Sequence, residues 1–349
     1  MKRKIRIWGG TFAGLLALVA AVGLGLGYIS GQNVQSLDGE QHLVYVYPET
    51  TEAALLAKIG ETHRFSLPFL YRVQAKYMHL TTPERPFIKT GCYQLEPVMS
   101  DRELIQMFRS GRQTPVKLMF RGVRTQGQLA KMLSDQLMID SASIASRLQD
   151  STYMRTYGLS VPEAVCLFIP NTYEVWWNMS ADDLFARMSR EHKAFWTTER
   201  KGLADKMGLT PEEVVTLASI VEEETWKDVD KPVIAGLYLN RLRRGMLLQA
   251  CPTVKFAIGD FTLKRILNEH LKYDSPYNTY LYPGLPPGPI RIPTPKTVDL
   301  TLRYTPSDYL YMCASPALDG THRFASTYGE HMRNAREYQR EMNRRGIKR

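Results

Sequence analysis

Three consecutive glutamates, Glu222, Glu223 and Glu224, follow an apolar segment with helical spacing. The apolar positions recur at i, i+3, i+4 and i+7 and are Val214, Leu217, Ala218 and Val221. At about 100° per residue, Glu224 is the next position on this face, Glu222 lies near its border and Glu223 points away. The spacing therefore predicts one carboxylate turned toward the core, Glu224, and two on or near the solvated side.

A buried carboxylate would be chemically useful. Burial makes its charged form costly, so its pKa rises and it keeps a proton near neutral pH. Such a group can act as a general acid. The alternative is that the helix ends here and Glu224 is a solvated residue of its last turn. Taken alone, the pattern favours this plainer alternative, because perturbed carboxylates are only candidates for function.

The helix that would position Glu224 has a clear start. Thr210 can serve as its N-cap, Pro211 as its first residue and Glu213 as the acid of a capping box. A second amphipathic helix should follow over 233–245 and stop at Gly245. Further helices are expected near 126–136, near 141–149 and from 181 to about 196. The last part of the chain, 297–342, resembles an α-β-α arrangement, and a small unit of strands and helices is expected over 43–112.

The segment 277–295 is rich in proline, glycine and tyrosine. Aromatic rings suit the apolar faces of sugars, so the segment could form one wall of a saccharide cleft. A rigid surface connection explains the same composition equally well.

The N-terminus has the pattern of a membrane anchor. Basic residues at 2, 3, 4 and 6 precede an uncharged run over 7–29, which as a helix would be about 34 Å long. The basic flank places residues 1–6 in the cytoplasm and the rest of the chain outside it. A cleaved signal peptide is the alternative, but its apolar core is shorter. The polar segment 30–42 is expected to be a linker.

Composition limits the other classes of function. The net charge of +10 favours anionic partners, but no nucleic-acid-binding motif is visible, so a nucleic acid is the weaker choice. The four cysteines, Cys92, Cys166, Cys251 and Cys313, contain no C-x-x-C pair, and they suit disulfides or buried thiols equally. The histidines show no metal-binding spacing, so the sequence predicts no metal site and no cofactor.

Several motifs resemble those of the endolytic murein transglycosylases, the MltG or YceG-like family. These motifs occur in the family's order and are "LASIVEEET", "NRLRRGMLLQACPTV", "YNTYLYPGLPPGPI" and "THRFASTYGEH". The N-terminal anchor, "GCYQLEPVMSDRELIQMFRSG" and "LFIPNTY" also match, so the resemblance covers nearly the whole chain. The family implies an α+β fold with an N-terminal transmembrane helix, a LysM-like subdomain over 43–112 and a lysozyme-related catalytic domain over 113–349.

The resemblance also implies an activity. Members of the family cleave the MurNAc–GlcNAc β-1,4 bond within nascent peptidoglycan strands, leave 1,6-anhydro-MurNAc ends and are thought to terminate glycan polymerisation. Their catalytic glutamate immediately precedes the threonine of the E-x-E-T helix, and that position here is Glu224. The implied location is the inner membrane, with the catalytic domain outside the cytoplasm and peptidoglycan synthases as partners. A non-catalytic glycan-binding scaffold and a hydrolytic muramidase are the alternatives.

The family's motifs also suggest substrate contacts. The matching positions are Asn240, Gln249, Thr253, Tyr277, Asn278, Thr279 and Tyr280. For Asn240 and Gln249 a role as a cap or backbone clamp is equally suitable. His322 is expected to be a structural histidine. This chain has Cys251 and Asn171 where the family commonly has aspartate, which would alter the electrostatics near both motifs.

Overall fold

The chain forms two compact units. A computed structural model describes the backbone of residues 2–78, 81–82, 85–86, 88–263 and 265–347, and the side chains of 15–25, 27–28, 30–78, 88–263 and 265–347. Unit 1 comprises Met1–Lys117 and Glu174–Asn178, and unit 2 comprises Leu118–Tyr173 and Met179–Arg349. The described residues form fourteen α-helices and several small sheets, a mixed α+β fold as predicted. No pattern in the sequence indicates that 174–178 belongs to unit 1.

Unit 1 combines four helices with short antiparallel strands. The helices are α1 (Lys2–Gly31), α2 (Glu52–Gly60), α3 (Pro68–Tyr77) and α4 (Asp101–Ser110). The strands are β1 (Val34–Ser36), β2 (His42–Val46), β3 (His63–Phe65), β4 (Thr81–Thr82), β5 (Arg85–Pro86), β6 (Gly91–Leu95) and β7 (Val98–Met99). One sheet has the order β3-β1-β7, and β2 pairs with β6 and β4 with β5. The predicted capping box of Ser100 and Glu103 starts α4.

The segment 30–42 is not the linker that its polar composition predicted. It contains β1, the central strand of its sheet, and Val34 lies in the apolar core. Asn33 is completely buried, where its side-chain oxygen accepts from the backbone N–H of Leu67 and its amide donates to Asp101. Polar composition misled the prediction because these polar groups are satisfied inside the fold and need no water.

Helix α1 contains the predicted anchor, 7–29. The side chains of 1–14, 26 and 29 lie outside the described residues, and with them the predicted cytoplasmic tail, 1–6. Several apolar side chains of α1 that are described are exposed, namely Leu15, Leu16, Leu18, Val19, Val22 and Leu24. Among the described residues, no helix meets the length and apolarity expected of a membrane span.

Unit 2 is mainly helical. Its helices are α5 (Gln126–Ser134), α6 (Ser141–Gln149), α7 (Ser151–Arg155), α8 (Ala181–Phe195), α9 (Thr198–Met207), α10 (Pro211–Glu224), α11 (Lys231–Arg243), α12 (Cys251–Ile258), α13 (Pro295–Leu302) and α14 (Tyr328–Arg344). Short 3-10 helices span Ala164–Leu167 and His270–Lys272. Strands β8 (Val116–Met119) and β9 (Thr172–Val175) lie where the chain passes between the units, and β10 (Tyr311–Ala314) and β11 (His322–Ala325) form a hairpin. The predicted helices near 126, 141, 181, 211 and 233 are confirmed, as is the α-β-α ending.

Helix α10 lies at the centre of unit 2, whereas the sequence predicted a helix that is buried along one face only. Thr210, Pro211 and Glu213 start it as predicted. However, all residues of Val214–Val221 are buried, so the helix is covered on every side by α9, α11, α12 and α13 and not along one face. Its polar residues are satisfied locally: the Ser219 hydroxyl donates to the Thr216 carbonyl at 2.7 Å and accepts from the Ile290 N–H at 3.0 Å.

Candidate active site

Glu224 is the last residue of α10, and the extended backbone of Thr225 follows it. Helix α11 packs against α10 and brings Tyr238 to Glu224. The phenol of Tyr238, itself buried, donates a hydrogen bond to Oε1 of Glu224 at 2.6 Å. This bond holds one carboxyl oxygen and leaves the other available to whatever enters the site.

The environment of Glu224 favours its protonated form. Burial raises the pKa of Glu224, and the negative charge of Glu223 adds to this effect. The hydrogen bond from Tyr238 and the charge of His322 oppose the rise, but the net direction of the pKa shift is upward. Burial also raises the pKa of Tyr238 well above its usual value, so the phenol keeps the proton that it donates.

Two cavities meet at Glu224. The first has a volume of about 460 Å³ and lies between the end of α10, the β10–β11 hairpin and α14. Its lining includes Trp226, Ser315, Gly320 and His322. The second has a volume of about 350 Å³ and is lined by α11, the start of α12 and residues of β10 and α14. A chain-like ligand could therefore pass the carboxyl group with one part in each cavity.

Glu222 and Glu223 are not solvated, contrary to the prediction. Glu223 is 15% exposed and forms ion pairs with Arg124 at 3.0 Å and with Arg291 at 2.7 Å. Glu222 is 10% exposed and accepts from the backbone N–H and hydroxyl of Thr294 at 2.8 and 2.9 Å. The helical periodicity misplaced them because α10 is surrounded and has no solvent face. Both carboxylates therefore bind parts of unit 2 together.

His322 lies in the first cavity and is held by an aspartate. The carboxylate of Asp230, which is buried beside the start of α11, accepts from the His322 backbone N–H at 2.8 Å and lies 2.9 Å from Nδ1. This pairing fixes the imidazole, so its other nitrogen is available to the cavity or to a neighbour. The expectation of a purely structural histidine does not account for its position beside Glu224.

Two of the seven predicted substrate residues line a cavity with Glu224. Gln249 and Tyr280 both belong to the second cavity. Gln249 has a left-handed backbone with φ of 54°, and its N–H donates to the Thr279 carbonyl at 3.0 Å. Cys251 lines the same cavity and lies 3.2 Å from the hydroxyl of Tyr280. A thiol here, where the resemblance implies an aspartate, would make the cavity less negative.

The other five predicted substrate residues lie outside both cavity linings. Thr253, Asn278 and Thr279 are fully buried and cannot contact a glycan in this fold. The hydroxyls of Thr253 and Thr279 are 2.9 Å apart, and the amide of Asn278 donates to the carbonyls of Leu271 and Tyr273.

Asn240 is a clamp, the alternative that the sequence left open. Its amide donates to the carbonyls of Ser307 and Tyr309 at 2.6 and 3.1 Å. Tyr277 packs on Phe256 with ring centroids 4.7 Å apart. Neither residue is among those that line the two cavities. Asn171 is also absent from both cavity linings, and its side-chain oxygen accepts from the N–H of Thr172 at the start of β9.

Sequence reasoning missed three residues of the site: Tyr238, Arg241 and Asp230. Arg241 is 7% exposed, donates to the carbonyls of Leu247, Leu248 and Leu310, and lines the second cavity. Tyr238 precedes Arg241 by one turn of α11, so the two share a helix face, but this spacing alone does not point to Glu224. No sequence signal indicates Asp230. All four cysteines are free thiols, which answers the question left open by their even number.

Comparison with known proteins places the chain in a family. The model of the YceG-like family matches residues 44–337, most of the chain. This chain belongs to the YceG-like family. The family match includes α10 with Glu224, both cavity-lining strands of the hairpin and unit 1 from residue 44 onward.

Individual YceG-like relatives have low sequence identity to this chain but align with most of it. An endolytic murein transglycosylase of Bacillus subtilis is 28% identical over 271 residues, which are 72% of this chain and 73% of that protein. An endolytic murein transglycosylase of Streptococcus pneumoniae is 26% identical over 90% of this chain, which spans only 58% of that protein. The crystal structure of a YceG-like protein from Listeria monocytogenes has a TM-score of 0.55 at 24% identity, covers 84% of this chain and 99% of its own, and shows the shared fold.

Proposed function

We propose that this YceG-like protein is a peptidoglycan lytic transglycosylase that cleaves glycan strands internally, with Glu224 as its single acid and base. Glu224 is a carboxyl group with a raised pKa at the point where two cavities meet, and this observation carries the proposal. The relatives from Bacillus subtilis and Streptococcus pneumoniae, which are named as endolytic murein transglycosylases, support the choice of substrate.

In the first step, protonated Glu224 gives its proton to the oxygen of the MurNAc–GlcNAc β-1,4 bond. The bond between that oxygen and C1 of MurNAc breaks, and the sugar passes through an oxocarbenium-like state. The raised pKa of Glu224 favours the acid form that this step requires. Tyr238 stabilises the carboxylate that remains, because its phenol donates to Oε1.

In the second step, the same carboxylate acts as a base. It takes the proton of the MurNAc C6 hydroxyl while that oxygen bonds to C1 and closes the 1,6-anhydro ring. Glu224 is protonated again, and no water is consumed. An attacking hydroxyl within the same sugar has a large effective concentration, so a second nucleophilic carboxylate is not required. This agrees with the ion pairing of Glu222 and Glu223, which occupies both neighbouring carboxylates.

The two cavities suit cleavage within a strand. We assign the sugars on either side of the reacting bond to the two cavities, with Gln249 and Tyr280 as contacts in the second one. Thr253, Asn278 and Thr279 act behind this surface by holding the loop that carries Tyr280. His322, oriented by Asp230, contributes from the first cavity as a hydrogen-bonding group beside Glu224.

The location of the protein belongs to the same proposal. The basic residues before 7 and the uncharged run over 7–29 support a single-pass anchor in the inner membrane with the rest of the chain on its outer side. The exposed apolar side chains of α1 would then contact lipid. Unit 1, which includes the predicted LysM-like segment 43–112, would bind glycan close to the membrane, and peptidoglycan synthases are the expected partners.

The test is a digest of uncross-linked glycan strands by the full chain in detergent, beside its Glu224→Gln variant, with the products identified by mass spectrometry. We expect anhydro-MurNAc ends that are absent with the variant. Reducing MurNAc ends would mean a hydrolytic muramidase with the same acid. Absence of cleavage by folded wild type, with glycan binding retained, would contradict the enzyme and favour the scaffold alternative.

A further inference from the structure

A large aromatic side chain stands exposed beside the candidate acid. Trp226 follows Glu224 closely in the connection between α10 and α11, and it is 74% exposed although it lines the first cavity together with Glu224. An exposed indole offers a large apolar face that a ligand can cover with a gain in free energy. Its position in the catalytic cavity indicates that the cover is part of the ligand.

The backbone that carries Trp226 is fixed on both sides. Thr225 is buried, and its hydroxyl oxygen accepts from the N–H of Lys227 at 3.0 Å. The N–H of Asp230 donates to the carbonyl of Lys227 at 3.1 Å, which closes the turn before α11. The indole is therefore displayed by an ordered turn and not by a free loop.

The opposite wall of the cavity leaves room for the ring. Gly320, in the turn of the β10–β11 hairpin, has φ of 84°, and a Cβ there would lie 3.1–3.3 Å from three atoms of the Trp226 ring. A side chain there would require the indole to shift by a few tenths of an ångström and would strain the backbone, because φ is positive. The ammonium of Lys227 lies 4.0 Å from the ring centroid, at the end of a flexible side chain that an entering ligand can displace.

We propose that Trp226, supported by Gly320, is a stacking platform for one sugar ring of the glycan strand in the first cavity. A pyranose presents an apolar C–H face that suits an exposed indole, and its hydroxyls remain free for polar groups such as Ser315 and His322. Stacking here would set the position of the sugar next to the bond that Glu224 attacks. This inference rests on the proposed function for the identity of the ligand.

The test measures binding separately from cleavage. Uncross-linked, solubilised glycan strands are titrated by calorimetry into the full chain carrying Glu224→Gln, which binds without turnover. Adding Trp226→Ala should raise Kd about tenfold, a loss of ~1.4 kcal/mol. Trp226→Phe should recover most of the affinity, and Gly320→Ala should weaken binding in the same direction as Trp226→Ala.

The matched control is Tyr273→Ala. Tyr273 is also an exposed aromatic residue of unit 2, at 46%, but it lines neither cavity. An unchanged Kd for Trp226→Ala in a folded protein would overturn the platform, as would an equal loss for Tyr273→Ala. The proposed function fails independently if wild type binds the strands through Trp226 and releases no anhydro-terminated product.

Discussion

Two carboxyl groups with a raised pKa, one in each unit, differ in exposure: Asp101 is fully buried and Glu224 is only partly buried. Asp101 in unit 1 is completely buried, and its carboxyl oxygens accept from the amide of Asn33 at 2.9 Å. Glu224 in unit 2 accepts from the phenol of Tyr238 at 2.6 Å. Burial raises the pKa of both groups, and in each case the hydrogen bond from one neutral donor partly opposes the rise.

The difference is access. Asp101 is enclosed by the core of unit 1 and joins α4 to the segment before β1 through Asn33. Glu224 ends its helix at two cavities, so its free oxygen can reach a ligand. A raised carboxyl pKa is therefore insufficient to mark an acid catalyst. A place where a substrate can lie against the group is also required.

Neutralising each carboxyl group tests this distinction with the largest expected effect. Glu224→Gln should lower the rate of glycan cleavage by about 10²–10⁴-fold, the usual contribution of a general acid and base, while the fold is retained. Asp101→Asn should leave the rate within about threefold but lower the free energy of unfolding by ~1–3 kcal/mol, because one of the two oxygens that accept from Asn33 becomes an NH2 group, which cannot accept. Rates are read from anhydro-terminated products and stability from denaturant titration.

The opposite pattern of activity and stability in the two variants would contradict this distinction. A large loss of activity in folded Asp101→Asn, or near-normal activity in Glu224→Gln, would mean that access to the cavities does not distinguish the two groups.

Sequence reasoning reached Glu224 and missed much of what surrounds it. The start of α10 was predictable because Thr210, Pro211 and Glu213 interact locally. The roles of Glu222 and Glu223 were not, since their partners Arg124, Arg291 and Thr294 come from distant parts of the chain.

Five of the seven predicted substrate contacts lie outside both cavity linings for a related reason. A motif marks residues that matter but does not distinguish those that touch the ligand from those that hold the loop. Thr253 and Thr279 bond to each other below the surface, whereas Tyr280, the next residue, reaches the cavity. The opposite error occurred in unit 1, where a buried residue was expected to be exposed. Asn33 lies in a polar segment that was predicted to be a linker, but it is buried against Asp101.

Removing the neutral donor of Glu224 should have the next largest effect. Tyr238→Phe deletes the hydrogen bond that favours the carboxylate, so the pKa of Glu224 should rise further. Activity is lost as pH rises through this pKa, so the alkaline limb of the kcat/KM profile should move to higher pH. The rate at the optimum should fall about tenfold, because the carboxylate formed in the first step loses its donor. A shift of that limb to lower pH would contradict the assignment of Glu224 as the acid.

A negative charge introduced at Cys251 tests the alkaline limb of the kcat/KM profile without any change to Glu224 itself. Cys251 lies in the second cavity and interacts electrostatically with Glu224. Cys251→Asp, the residue that the resemblance places there, adds a negative charge that disfavours ionised Glu224 and raises its pKa. The alkaline limb should move upward by less than in Tyr238→Phe. Cys251→Asn, which is similar in size and neutral, should leave the limb in place, and equal shifts in both variants would exclude an electrostatic cause.

The smallest expected effect is on stability and follows from the linkage between proton binding and folding. Because the pKa of Glu224 is higher in the folded protein than its ordinary value of 4.5, the unfolded chain releases this proton first as pH rises. Wild type should therefore lose stability from about pH 4.5 up to the folded pKa, and remain level above it. Glu224→Gln has no proton to release, so its Tm should exceed that of wild type by a margin that grows across this range and vanishes below it. Asp101→Asn should show no such gain in Tm at neutral pH, because the loss of one acceptor oxygen for Asn33 outweighs the removed charge. Thermal melts of wild type and the two variants from pH 4 to 8 compare the two sites directly.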